Sequence, residues 1–138
     1  MHPQYTPSID YFAGYFDGEG CVLMRARMNG RDYRLEATIK SGCLPILELF
    51  HEQFGGSLVK LSRWTNKPLY EWRLGNLREC SLFFHSIHPF TIEKRPQIAA
   101  AIEWLEYRLA LPVRGPRAAI DPSVGHRIDA LIRELKRN

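Results

Sequence analysis

The sequence predicts an α+β domain in which four antiparallel strands form one sheet and helices cover one of its faces. Two hairpin patterns with apolar and polar residues in alternation lie between stretches whose apolar residues recur at helical spacing. Their order along the chain is helix, hairpin, helix, hairpin and then three helices. A chain of 138 residues has the size of one domain, so residues 1–138 are interpreted as a single unit.

The first helix and the first hairpin follow from spacing alone. Four apolar residues recur on one helix face, at i, i+3, i+4 and i+7: Ile9, Phe12, Ala13 and Phe16. Residues 21–28 and 33–40 then alternate, and the Asn-Gly dipeptide at 29–30 between them is a strong hairpin signal. We therefore expect these two strands to pair, with their basic residues on the same side.

The second half repeats this pattern. Pro45 suits the first turn of a helix, and the two glycines at 55–56 suit its end. Residues 57–64 and 70–74 form the second predicted hairpin, with a turn at 65–68. In its first strand, Val59 and Leu61 are predicted on one side and Lys60 and Ser62 on the other.

Three helices are predicted after the second hairpin. Asn76, with Glu79 three residues later, resembles a capping box and begins the first of them. Pro96 opens a longer helix. A proline-bearing connection at 110–123 leads to a last amphipathic helix, whose basic residues are interpreted mainly as solvated surface.

The end of the first helix concentrates acid and glycine in four residues, Asp17, Gly18, Glu19 and Gly20. Glycines permit a tight exit from a helix, and the last turn of a helix leaves backbone carbonyls without partners. A carboxylate beside a free carbonyl oxygen suits a hard divalent cation such as Mg²⁺. The pattern therefore predicts an acidic, metal-binding helix end.

Residues 12–20 resemble the namesake motif of the LAGLIDADG homing endonucleases, and the match is close at Ala13, Gly14, Asp17, Glu19 and Gly20. The resemblance covers nearly the whole chain and is closest to the small single-motif members, which act as homodimers. It implies a saddle-shaped sheet lying along the DNA major groove. It further implies a site-specific double-strand DNA endonuclease that uses Mg²⁺, with Mn²⁺ expected to substitute.

The resemblance also implies roles for individual residues. Glu19 and the Gly18 carbonyl would bind the metal, and Lys94 would approach the scissile phosphate. Asp17 would make local hydrogen bonds at the helix end and take no part in catalysis. Because the chain holds one copy of the motif, cutting both strands requires a second chain. Gly14 would let two first helices meet at a two-fold axis, or else pack within its own domain. The predicted interface is formed by Phe12, Ala13, Gly14 and Phe16.

Strand alternation nominates the side chains on the side of the sheet without helices, which we call the open face. Six of the ten are basic, as expected of a surface that meets a polyanion. Arg, Glu, Ser and Thr are also residues that recognise base edges in the major groove. The predicted DNA-contacting residues are Arg25, Arg27, Arg34, Glu36, Thr38, Lys40, Lys60, Ser62, Glu71 and Arg73.

One departure from the family's pattern leaves an alternative open. Near the end of the second strand, where related enzymes often carry a polar residue that orders water, this chain has Ile39. Either Lys40 or Lys94 takes over this role, or metal binding survives while cleavage is slow or lost. The alternative function is therefore a protein of the same fold that no longer cuts, either a sequence-specific DNA-binding protein or an RNA splicing maturase. The sequence contains no glycine-rich phosphate loop, and no small-molecule substrate is expected.

Composition narrows the cellular setting. The net charge of +4 permits a nucleic-acid partner. No apolar run is long enough to span a bilayer and no signal peptide is recognised, so we expect a cytoplasmic protein or one in a DNA-containing organelle. Three widely spaced cysteines, Cys21, Cys43 and Cys80, are interpreted as buried thiols.

Overall fold

The computed structural model describes residues 6–61, 67–112 and 120–137. This part of the chain has the predicted order of helices and hairpins. The predictions for Ser62 and for the greater part of the 110–123 connection lie outside the described residues. The elements in chain order are α1 (Ile9–Glu19), β1 (Gly20–Arg27), β2 (Asp32–Ser41), α2 (Leu44–Phe54), β3 (Ser57–Leu61), β4 (Leu69–Leu74), α3 (Leu77–Ile87), α4 (Arg95–Ala110) and α5 (Pro122–Arg137).

The four strands form one antiparallel sheet in the order β1-β2-β4-β3. The predicted α+β class, with a single four-stranded antiparallel sheet, is confirmed. The two hairpins join through their second strands, so β2 and β4 are central and β1 and β3 are the edges. Thr38 lies opposite Arg73, and Lys40 lies opposite Glu71, across this central pairing.

Local signals begin and end the elements as the sequence predicts. The Asn76 side chain accepts hydrogen bonds from the backbone N–H groups of Arg78 and Glu79, which caps α3. Gly55 and Gly56, which end α2, have φ angles of +88° and +83°. These angles lie in the left-handed region that glycine adopts without steric cost, so the two glycines let the chain turn from α2 into β3.

An aromatic cluster joins the helices to the sheet. Trp72 on β4 is fully buried, and its indole N–H donates a 2.9 Å hydrogen bond to the Gly55 carbonyl. Phe50 of α2 and Phe83 of α3 pack against Trp72, with ring centroids 5.0 Å and 5.3 Å away. The Phe83 ring meets Trp72 edge to face and the Phe50 ring meets it at a tilt. Such aromatic contacts add to the free energy of burial, so the cluster anchors α2 and α3 over the sheet.

The helix α5 completes the core on the β1 side. Ile128 and Ile132 are buried, and a side chain at Gly125 would collide with the Tyr33 ring on β2. The close approach of α5 to β2 therefore requires glycine at this position. Among the described residues, no helix is long and apolar enough to cross a membrane.

The three cysteines have different environments. Cys80 is buried, and this burial raises the pKa of its thiol to about 12. Cys21 is half-buried and Cys43 is exposed, so the prediction of buried thiols is correct for Cys80 and wrong for Cys43. Cys43 is exposed because it is the N-cap of α2, where the chain leaves the sheet, so flanking apolar residues do not bury it.

Candidate functional site

The acidic end of α1 leads directly into the sheet. Glu19 is the last residue of α1 and Gly20 is the first residue of β1, with no loop between them. The Gly20 N–H donates to the Phe16 carbonyl, which closes the last helical turn. Glu19 is exposed. The chain thus presents one carboxylate at the junction between a buried helix and the sheet.

Gly20 is required by packing and not by backbone conformation. Its φ of −85° is open to any residue, whereas an added Cβ would lie 2.2 Å from the Phe16 ring. Phe16 is fully buried and packs against Phe83 with ring centroids 5.1 Å apart, so the ring has little freedom to move. The prediction that Gly20 supplies a conformationally tight exit is therefore wrong, because the constraint comes from close contact with Phe16.

Asp17 joins the end of α1 to the start of α4. Its carboxylate accepts hydrogen bonds from the backbone N–H groups of Ile92, Glu93 and Lys94, at 3.0, 3.0 and 2.7 Å. Burial by itself raises the pKa of this carboxyl group, but the three N–H donors and the Lys94 charge outweigh it, so the pKa lies below its usual value. The prediction of local hydrogen bonds at the helix end is therefore wrong, because the partners of the carboxylate lie 75 to 77 residues away in sequence.

Lys94 lies against the same helical turn. Its Nζ donates a 2.7 Å hydrogen bond to the backbone carbonyl of Asp17, although the two residues are 77 positions apart in sequence. This contact holds the ammonium group within the turn that contains Gly18 and Glu19. The structure therefore brings Lys94 to the same helix end as Glu19.

The donors at this helix end fit a hard divalent cation. Glu19 offers an exposed carboxylate, and the Gly18 carbonyl belongs to the last turn, where carbonyl groups have no partner within the helix. Within residues 6–61, 67–112 and 120–137, no three His, Cys, Asp or Glu side chains come together as a metal-binding group.

Ile39 forms an apolar wall beside the junction. It lies opposite Gly20 in the β1–β2 pairing and opposite Trp72 in the β2–β4 pairing. Its side chain is 1% exposed. The chain therefore offers no hydrogen-bonding side chain at this position to order a water molecule.

The register of the sheet decides which predicted side chains share the open face. Cross-strand partners point to the same side. Lys60 lies opposite Tyr70, on the side of the sheet that the helices cover, while Val59 lies opposite Glu71 and is 47% exposed. The placement of Lys60 on the open face, and of Val59 toward the core, is therefore wrong.

This error has a simple cause. Residues 58, 59 and 61 of β3 are all apolar, so alternation does not define a phase, and a shift of one residue exchanges the two faces. Strand β3 is also at the edge of the sheet, where a lysine on the helix side still reaches solvent.

The cations of the open face are paired with acids. Arg25, Arg34 and Arg73, from three different strands, all contact Glu36, and Arg73 also contacts Glu71. Glu36 and Glu71 are only 4% and 7% exposed. The expectation of a densely basic surface is corrected in this respect, because buried carboxylates neutralise part of the charge.

The remaining open-face residues differ in their surroundings. Lys40 is exposed, whereas Thr38 is 5% exposed and lies opposite Arg73. Arg27 lies 3.8 Å from Asp32, which also receives hydrogen bonds from Arg108 of α4. The sequence analysis missed the Asp32–Arg108 pair, because no local pattern relates positions 76 residues apart.

The surface of α1 corrects the predicted dimer interface. Phe12, Ala13 and Phe16 are at most 1% exposed and belong to the chain's own core, so their assignment to an interface is wrong. Gly14 is exposed, and a Cβ added there would meet no atom within 4 Å. Glycine at this position is therefore not needed for packing within the chain. The exposed face of α1, which we call the α1 stripe, comprises Tyr11, Gly14 and Gly18.

The end of α5 reaches the same edge of the sheet. Lys136 Nζ lies 3.6 Å from the Cys21 Sγ, two residues beyond Glu19. Arg133, Lys136 and Arg137 line a cleft of about 290 Å³ together with Leu23 of β1. Arg133 is also paired with Asp129 at 3.1 Å. These basic side chains thus lie over β1, which helical periodicity alone does not show.

Comparison with known proteins identifies a class of proteins that share the fold of this chain. No family model matches the chain, and no curated protein matches its sequence. Solved structures do match, and the fold is that of the LAGLIDADG homing endonucleases, as the sequence motif implied.

Three of these structures illustrate the likeness. I-TnaI is 20% identical, with 96% of each chain covered and a TM-score of 0.68. I-CvuI, solved in complex with its target in the presence of calcium, is 18% identical over 94% of this chain and 80% of its own, with a TM-score of 0.67. I-SmaMI, bound to an uncleaved DNA target, is 16% identical with a TM-score of 0.72, and this chain spans 46% of it. At such identities the likeness establishes the fold alone.

Proposed function

We propose that this chain is a site-specific double-strand DNA endonuclease, which hydrolyses phosphodiester bonds as a homodimer with Mg²⁺, or with Mn²⁺ in its place. One observation carries the proposal. The Lys94 ammonium group is hydrogen-bonded to the last turn of α1, the turn that also carries Glu19, at the point where α1 meets a sheet with an arginine-bearing open face. Relatives of this fold support it, since I-SmaMI has been solved bound to cleaved DNA.

The site residues have separate chemical roles in this proposal. Glu19 and the Gly18 carbonyl would hold the divalent cation, which supplies polarisation of the phosphate and a more acidic bound water. An ammonium group has three N–H donors, and Lys94 uses one of them on the Asp17 carbonyl. The other donors are free to stabilise the negative charge that develops on a phosphate oxygen.

Two chains are needed because one Glu19 serves one DNA strand. The α1 stripe is exposed and rich in glycine, so two copies of α1 can approach closely about a two-fold axis. When this axis runs along the helices, both Glu19 residues lie at the same end of the helix pair. Two metal sites would then face the two strands across the minor groove.

The substitution Glu19→Gln tests the proposed chemistry. Duplexes would be selected from a random pool in Ca²⁺ and then incubated with each variant in Mg²⁺. We expect Glu19→Gln to bind these duplexes with unchanged affinity and to cleave them at least about 100-fold more slowly, because the metal loses its charged ligand. Glu134→Gln, an exposed change on α5, is the matched control and should cleave as the wild type does. Equal cleavage by Glu19→Gln would overturn the proposed mechanism.

The second candidate is a binding protein of the same fold that does not cut, acting on DNA or assisting RNA splicing. Buried Ile39 favours it, because no polar side chain stands there to order a nucleophilic water. Wild-type protein that shifts the selected duplexes but yields no product in Mg²⁺ or Mn²⁺ would establish binding without cleavage. Cleavage in the presence of either ion would exclude a protein that only binds.

A further inference from the structure

Glu36 is a nearly buried carboxylate on the open face of the sheet. It is 4% exposed, and guanidinium groups from three neighbouring strands contact it. Arg25 Nε donates to Oε1 at 2.6 Å, and Arg34 Nε donates to Oε2 at 3.3 Å. Arg73 Nη1 donates to Oε1 at 2.5 Å. One carboxylate therefore organises arginines of β1, β2 and β4.

The three arginines do not use the same nitrogens. Arg25 and Arg34 reach Glu36 through Nε, and they are 55% and 47% exposed. Arg73 engages both of its terminal nitrogens, Nη1 with Glu36 and Nη2 with Glu71, and is 29% exposed. Bidentate recognition of guanine O6 and N7 requires a free pair of guanidinium donors. Arg25 and Arg34 contact Glu36 without using either terminal nitrogen, whereas in Arg73 each terminal nitrogen already donates one hydrogen bond to a glutamate.

The arrangement also resolves an electrostatic conflict. Arg25 and Arg34 are direct cross-strand partners, and like charges at opposed positions destabilise a sheet. Glu36 binds both, which offsets this repulsion and limits the rotamers of two flexible side chains. Side chains ordered before binding lose less conformational entropy on binding DNA. The cluster of three arginines and two glutamates keeps a net charge of +1, which still favours a polyanion.

We infer that Arg25 and Arg34 together recognise two guanines. Glu36 positions both arginines, and Arg73 holds Glu36 in place through its own hydrogen bond. The ligand is a duplex with two closely spaced guanines in the major groove of each half-site. The inference rests on the proposed DNA-binding function and assigns its specificity. Glu36, Glu71 and Arg73 act in it as positioning residues, in place of the direct base contacts expected from the sequence.

The test is the selection of DNA duplexes from a random pool by the full-length protein in Ca²⁺, followed by sequencing of the selected duplexes. The affinity of each variant for random duplexes is measured separately. Wild type should enrich two guanines within a few base pairs. Arg25→Lys should reduce enrichment at one of them by about 10-fold or more, because lysine lacks the bidentate fork. Arg73→Lys should weaken enrichment at both guanines together, since Arg73 supports the pair.

Glu36→Gln separates a positioning role from a purely structural one. It removes one negative charge with little change of shape, so binding to random DNA should be equal or tighter and the salt dependence steeper. The guanine preference should nevertheless fall about 10-fold, because the arginines are no longer fixed. Glu134→Gln is the control, and thermal unfolding of each variant verifies that it folds.

The outcomes distinguish this inference from the proposed function. Unchanged guanine preference in Glu36→Gln, or a wild-type consensus without paired guanines, overturns the inference and leaves the endonuclease proposal in place. Loss of preference at a single base in Arg73→Lys also overturns it, because Arg73 would then contact that base directly. A wild-type protein that retains no duplex at low salt overturns both.

Discussion

Asp17 connects two parts of the chain that are more than 70 residues apart in sequence. Its carboxylate binds the N–H groups at the start of α4, and its own carbonyl binds the Lys94 side chain. One residue therefore fixes both the helix end that carries Glu19 and the position of Lys94. Asp17, the first acidic residue of the motif, thus holds the end of α1 against the start of α4, whereas Glu19, the second, is exposed.

Asp17→Asn should destabilise the protein by about 1–2 kcal/mol at neutral pH, because the amide offers one acceptor oxygen without charge to three N–H donors. The measurement is urea denaturation of both proteins between pH 7 and pH 3.

The contribution of Asp17 to the free energy of unfolding should fall as the pH is lowered. The pKa of Asp17 is lower in the folded state than its usual value of about 3.9, so its contribution is present above that value and is lost as pH falls through the folded-state pKa. The stability difference between the two proteins should therefore shrink below about pH 4. A difference that stays constant down to pH 3 would contradict this role. Glu134→Gln should change stability by less than about 0.5 kcal/mol at pH 7.

At the scale of elements, α1 has two faces with different functions. Its apolar face is anchored in the core by Phe12 and Phe16, whose rings pack 4.9 Å from Phe50 and 5.1 Å from Phe83. The α1 stripe on the other side contains glycines that the chain's own packing does not require. The helix is thus packed into the core on one side and exposed on the other.

Two glycine substitutions on this segment should have opposite effects on stability. Gly20→Ala places a methyl group against the buried Phe16 ring and should cost about 1–3 kcal/mol. Gly14→Ala meets open space in a helix and should stabilise the monomer by up to about 1 kcal/mol. Urea denaturation at a protein concentration low enough to give monomers measures both. Equal destabilisation by the two changes would contradict the packing described for α1.

At the scale of the whole molecule, the sheet has one face that packs against the helices and one that carries charged side chains. The five helices of the described chain pack on the side that carries Val22, Leu35 and Trp72. The open face carries charges that are partly neutralised within the chain. The turn that carries Glu19 lies at one end of β1, so a duplex bound along the open face would pass beside Glu19.

We expect the protein to be a dimer in solution. Sedimentation equilibrium should give a mass twice the 16.0 kDa of one chain. Gly14→Leu should shift the protein toward monomer and abolish double-strand cleavage, because the added side chain separates the two helices. Glu134→Leu adds the same side chain to an exposed site on α5 and should leave the dimer intact. A monomeric wild type that still cuts both strands would refute the two-chain site.

The sequence by itself determined the elements and the acidic turn, because those signals are local. Helical spacing, strand alternation, the Asn76 cap and the glycines at 55–56 each act within a few residues, and each has its predicted structural role. The metal-binding assignment of Glu19 also came from adjacent residues, and it stays a prediction.

Tertiary structure alone decided which surfaces are free and which residues meet. Helical spacing identifies the apolar face of α1 but not what covers it, and that face belongs to the core. The face assignment of Lys60 depended on the pairing of β3 with β4, and the Glu36 cluster depends on three strands brought side by side. The contact between Lys94 and Asp17 likewise forms only when α4 packs against the end of α1. The physical reason is that register and packing are set by long-range contacts, which the pattern within one segment does not contain.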